Sequence, residues 1–163
     1  MVRIHPCPPK KLLSVNLTAF LLINIINNTK EKGVLKMIFN TNKEKGNTSL
    51  GIAIAYYSSN GYTVSIPLND TQDYDLIVDK DNVIKRVQVK STSFKDKNDH
   101  YQLSLKSCGG TKGTTYKTVV DTAIEELFIL VENKDMYIIP RQEINNRSTL
   151  TICDKYKEYK VNL

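Results

Sequence analysis

Histidine and cysteine are scarce in this chain, with two of the first and three of the second among 163 residues. Cys7, Cys108 and Cys153 are odd in number and widely spaced, which argues against both a disulfide framework and a zinc site. A reducing compartment, the cytoplasm, is the expectation. His5 and His100 lie far apart and beside no acidic cluster, so a histidine metal centre or a Ser-His-Asp arrangement lacks its parts. Long apolar runs are lacking too. The stretch from Leu12 to Ile26 is interrupted by Asn16 and Asn24, and at about fifteen residues it falls short of the roughly twenty a membrane span needs. It comes after a basic, proline-rich start, the order of a signal peptide, but no small-x-small cleavage site succeeds it. It reads as a docking helix or as sequence upstream of the domain, with insertion into a membrane as the remaining alternative. Met37 would make a sensible start for the domain.

The chain is long enough for one domain with a real core and short for two. Its net charge of +6 points to an anionic partner, yet residues 1–36 hold six Lys or Arg and one Glu, so the rest contributes only +1. Within that rest the charge is uneven. Residues 80–117 hold nine Lys or Arg against three Asp, while residues 121–143 are acidic on balance. A basic face for phosphates therefore survives as a local feature.

From Asn40 onward the pattern is readable. Leu50, Ala53, Ile54 and Tyr57 recur at helical spacing, and Asn60-Gly61 stops the helix. "YTVSIPL" predicts a strand, and a hairpin from Asp75 to Lys90 comes next, turning at "DKDN". "HYQLSLKS" alternates as a strand would, and "CGGTKGTTYKT" reads as a mobile basic loop. "ELFILVE" and "MYIIPRQEI" are two more strands with "NKD" between them. One helix, three strands, a variable basic region and two strands suggest a mixed sheet with helices packed on it.

The hairpin carries the chemistry. Strand side chains alternate between two faces, so Val87 and Val89 share one face and Gln88 and Lys90 the other. With a four-residue loop from Lys80 to Val83, Asp79 faces Ile84 and Asp75 faces Gln88. A carboxylate, an amide and an ammonium then meet at one edge of the hairpin. Taken alone, such a group is also what a solvated surface pair looks like.

The stretches "KEKGN", "NGYTVSIPLND", "YDLIVD", "RVQVKS" and "MYIIPRQEI", in this order over about residues 40–146, resemble the PD-(D/E)XK nuclease superfamily. The resemblance is closest to its branch of group I intron-encoded homing endonucleases. It implies an α/β fold with a restriction-endonuclease-like core, a mixed central sheet flanked by helices, in a domain of residues 40–163 preceded by an extension of residues 1–39. It also implies that Asp75 is the metal-binding aspartate, that Gln88 holds the position usually taken by Glu or Asp, and that Lys90 is the catalytic lysine. Asp75, Gln88 and the Val89 carbonyl would then hold Mg²⁺ or Mn²⁺. Relatives often carry an acid on the first helix, but residues 45–69 contain none. Glu44 is the nearest candidate, and it reads equally as a capping residue. Asp70, Asp73 and Asp79 read as turn or surface acids.

For contacts to the backbone of double-stranded DNA the candidates are Lys95, Lys97, Lys106, Lys112 and Lys117, the last two in the glycine-rich loop. Tyr74, Tyr101 and Tyr116 could stack on bases, although packing is the commoner use of such residues. The activity implied is a metal-dependent, site-specific DNA endonuclease of homing type. The alternatives are a junction-resolvase-like nuclease and an inactive DNA-binding protein of the same fold. A duplex cut from one site per chain implies a homodimer or homotetramer.

Overall fold

In the computed structural model, residues 41–69, 72–108, 116–145 and 148–163 are described. The readings placed on residues 1–39, Asp70 and Lys112 lie outside them.

Helix α1 spans Asn42–Ser59 and starts with a capping box. The extended Thr41 accepts from the Glu44 N–H through its hydroxyl at 3.1 Å and donates its own N–H to the Glu44 carboxylate at 3.2 Å. Ser49, Ile52, Ala53, Ala55 and Tyr57 are buried, most of them three or four residues apart, which gives one face to the sheet. The helix ends at Asn60, whose side chain donates to the Tyr56 carbonyl, and Gly61 comes next in the left-handed region at φ 81°. Only Gly adopts that conformation without cost.

The main sheet has six strands: β1 (Thr63–Ser65), β2 (Leu76–Lys80), β3 (Val83–Thr92), β7 (Glu126–Val131), β8 (Met136–Pro140) and β10 (Lys160–Val161), side by side in that order. Only β3 and β7 run parallel. The β2–β3 hairpin has the expected register, with Asp79 opposite Ile84. Its loop is tighter than expected, because Lys80 also pairs with Val83 and leaves Asp81 and Asn82 as the turn, at φ 53° and 63°. Two positive φ values make a type I′ turn, whose twist suits a two-residue hairpin, and Asp and Asn bear that conformation better than most residues.

A parallel pair needs a crossover. Here residues 93–125 supply it with short strands and a 3-10 turn. The expected strand "HYQLSLKS" divides at Leu105 into β4 (Gln102–Ser104) and β5 (Lys106–Cys108). Leu105 is fully buried, donates its N–H to the Ser148 carbonyl and accepts from the Val119 N–H, so it sits where two small sheets meet. β4 pairs with β9 (Thr149–Thr151), and β5 with β6 (Tyr116–Thr118). The end of the expected loop is therefore a strand.

The sheet separates two apolar layers. Ile52, Ala53 and Tyr57 of α1 pack on Leu76, Val78, Val87, Phe128 and Leu130 on one face. On the other, Leu103, Leu105, Leu150, Ile152 and Tyr156 pack on Leu127, Ile129 and Ile139. Every residue of β7 is buried, as its continuous apolar run requires. The mixed α/β class is as the sequence implied, with β3 at the centre of the sheet.

Candidate active site

β3 presents Val87 and Val89 to the helix side, and both belong to or pack against that layer. Gln88 and Lys90 point the other way, in register with Leu127 and Ile129 of β7. Asp75 lies just before the β2–β3 ladder, whose last pair is Leu76 with Val87, and bonds the two residues that flank Gln88. Asp75 is fastened to β3 twice. Its N–H donates to the Val87 carbonyl at 2.9 Å, and its Oδ2 accepts from the Val89 N–H at 2.6 Å. Within a strand the N–H and C=O of one residue point to the same edge. The Val89 carbonyl therefore faces the side on which Asp75 lies, where β2 has not yet begun.

Among the described residues, two buried side-chain polar atoms have no hydrogen-bond partner, Gln88 Oε1 and Arg141 Nε. A buried carbonyl oxygen without a donor costs about 1–3 kcal/mol of desolvation, so this oxygen is open to a partner from outside the protein, a water or a cation. Asp75, Gln88 and the Val89 carbonyl make an all-oxygen donor set, the kind that suits Mg²⁺ or Mn²⁺. Among the described residues no group of three or more His, Cys, Asp or Glu gathers, at this position or at any other.

Lys90 is half-buried and lines a cavity together with Thr92, Phe94, Ser104, Lys106 and Thr149. Glu44 takes its place in the capping box. Asp73 and Asp79 are half-buried, Asp79 within β2 rather than in the turn. Lys95 is exposed, pairs with Asp99 at 2.8 Å and lies over the Tyr101 ring. Lys97 is exposed in the next turn, and Lys106 is exposed on β5. Lys117 belongs to β6. Tyr74 and Tyr101 pack against the apolar layer, the commoner of their two uses.

Two ion pairs escaped the sequence reading, and both anchor the strand that carries the site. On the helix side Lys85 pairs with Glu126, which also accepts from the Tyr57 hydroxyl at 3.0 Å. The hydrogen bond to Glu126 raises the Lys85 ammonium above its ordinary pKa, and burial, then the same carboxylate, pushes the Tyr57 hydroxyl up. On the opposite face Arg86 grips Glu125 through its backbone N–H at 2.6 Å, Nε at 3.1 Å and Nη2 at 2.6 Å. That guanidinium holds the Glu125 carboxyl below the usual carboxylate range. The adjacent Lys85-Arg86 and Glu125-Glu126 dipeptides were the available signal. Pairing them needed the β3–β7 register.

Comparison with known proteins bears on this arrangement. The profile of a family described as PD-(D/E)XK endonuclease matches residues 40–161. The structure of a bacterial homing endonuclease, I-Ssp6803I, is similar with a TM-score of 0.59 at 24% identity, over 72% of this chain and 82% of that one. At that identity the likeness concerns the fold. No curated protein matches the chain.

Proposed function

The chain belongs to the PD-(D/E)XK endonuclease family and is a DNA endonuclease, a phosphodiester hydrolase, and from that premise we propose that it depends on a divalent metal ion and cuts both strands of a specific site, as a homing enzyme does. The observation that carries the reading is the orphaned Gln88 Oε1, between the two β3 residues that Asp75 bonds and two residues from Lys90. Asp75 would supply the one anionic ligand, and Gln88 and the Val89 carbonyl two neutral oxygens. Such an ion, when bound, offsets the negative charge that grows on the phosphate and makes a water easier to ionise. With one carboxylate instead of two, the site would hold the ion less tightly than its acidic relatives.

The protein's own groups do the positioning. The Val89 N–H fixes one oxygen of Asp75, which turns the carboxylate toward the end of β2. Lys90 projects from a strand paired with β7 at its own level and held to Asp75 at the residue before it, so its ammonium would need little reorganisation to donate to the attacking water or to the pentacovalent oxygens. Each chain carries one such site and cuts one strand, so a duplex cut takes a symmetric assembly of two or four chains.

Asp75→Asn tests the reading. It keeps the Val89 bond available and removes the charged ligand, so cleavage of duplex DNA should be lost while DNA binding, read by gel shift, persists. Cleavage at the wild-type rate would remove Asp75 from the site. Absence of metal-stimulated cleavage by the wild-type protein would favour the inactive, DNA-binding reading, and preferential cutting of four-way junctions the resolvase-like one.

A further inference from the structure

Lys90 belongs both to the candidate site and to the wall of a cavity of about 550 Å³. That size lies within the range of about 300–1,000 Å³ in which proteins hold small-molecule-sized groups. Lys106 brings a second ammonium to it, Ser104 and Thr149 bring hydroxyls, and Phe94 adds an aromatic ring. Phe94 is 63% exposed, which is unfavourable for a phenyl group facing water. Its backbone is nevertheless fixed on both sides. The N–H donates to Thr92 Oγ1 at 3.1 Å, and the C=O accepts from the Gln102 N–H at 2.9 Å. Thr92 itself is buried and donates to the Gln102 carbonyl at 2.6 Å. A ring held in water on a rigid frame, beside two lysines and continuous with a phosphodiester-cutting site, matches one kind of group: a base attached to a phosphate.

Resting on the nuclease reading, we propose that this cavity receives one nucleotide of the cut strand, next to the scissile phosphate, with Phe94 stacking on its base and Lys106 holding its phosphate with help from Ser104 and Thr149. Aromatic stacking tolerates any base, because every base has a π-face. The ammonium and hydroxyls read only the phosphate. The subsite therefore positions the strand without selecting sequence. It also requires the base beside the cut to leave its stack in duplex DNA.

The probe is thymidine 3′,5′-bisphosphate, titrated into the full chain and followed by NMR shifts, with inorganic phosphate as the comparison. Phe94→Ala should weaken the nucleotide roughly tenfold, within the range seen for losing one base–aromatic stack, and should leave inorganic phosphate unchanged. Phe94→Tyr should restore nucleotide affinity, while Lys106→Ala should weaken both probes. Because Phe94 is exposed, the fold does not depend on it, and unfolding curves of the variants check this. Nucleotide affinity unchanged in Phe94→Ala, or inorganic phosphate bound as tightly as the nucleotide, overturns the subsite. Asp75→Asn cleavage is scored separately. If it abolishes cutting while Phe94→Ala has no effect on the titration, the nuclease reading stands and the subsite falls. If Asp75→Asn cuts normally while Phe94→Ala weakens the nucleotide, the subsite stands and the assignment of the hairpin falls.

Discussion

Lys90→Met separates a catalytic lysine from a merely structural one. The side chain leaves β3 near its C-terminal end, beside Ile129, which is fully buried, and lines the cavity. Methionine has nearly the same unbranched length, so it keeps the apolar contact of the stem and removes the ammonium. The expected loss of stability is small, ~1 kcal/mol, because an ion pair or hydrogen bond of a partly exposed lysine contributes little. The rate should fall much further. Removing one preorganised donor to the charge that develops in a transition state costs roughly a hundredfold or more, about 2.7 kcal/mol or above. The assay is single-turnover cleavage at saturating Mg²⁺, on a duplex that the wild-type protein has selected from a random-sequence pool. Thermal unfolding of the same sample controls for stability. Metal binding should persist, since Asp75 and Gln88 remain. A variant that folds normally and cuts near the wild-type rate would refute the assignment of this hairpin.

Gln88→Glu puts a second carboxylate between the two β3 residues that Asp75 bonds, so the Mg²⁺ concentration for half-maximal cleavage should fall, by roughly tenfold given how strongly ligand charge sets affinity. An unchanged metal titration would take Gln88 out of the site. Glu44→Gln keeps an acceptor for the Thr41 N–H and removes the charge. Both stability and cleavage should stay near wild type if Glu44 acts as a cap, whereas a large rate loss with a normal unfolding curve would restore it to the chemistry. The depressed carboxyl of Glu125 contributes stability that is fully present above its unfolded pKa, about 4.5, and is lost as pH falls through the lower folded value. The melting-temperature gap between wild type and Glu125→Gln should therefore be constant near neutrality and shrink below about pH 4.5. A gap that holds down to strong acid would mean that the Arg86 pair contributes nothing through charge.

The hairpin was legible in advance because its determinants are local. Alternation in "RVQVKS" put Val87 and Val89 on one face and Gln88 and Lys90 on the other, and the polar "DKDN" turn placed the register to within a slip of two residues, which changes no face. The helix was legible from its apolar spacing and its stop signal, and Glu44 was visible both as a cap and as a candidate ligand. The division of "HYQLSLKS" at Leu105 was not legible, because it depends on partners at Ser148 and Val119, more than a dozen residues away along the chain. β9 and β10 are three and two residues long, too short to show a period, and exist only through their pairing with β4 and β8.

Sequence alone determined which groups could meet on one strand pair, since a period of two puts Gln88 and Lys90 on one face of β3 and the hairpin brings the start of β2 beside them. Tertiary structure decided what those groups face. The parallel docking of β7 put β3 at the centre of the sheet and closed the Lys85–Glu126 and Arg86–Glu125 pairs around it. Residues 94–106, after β3, then returned against it through β4 and set Phe94 and Lys106 in one cavity with Lys90. Folding also left Gln88 Oε1 buried without a protein donor. Burial and cavity shape are sums over contacts between segments far apart in the chain, and no local pattern encodes them.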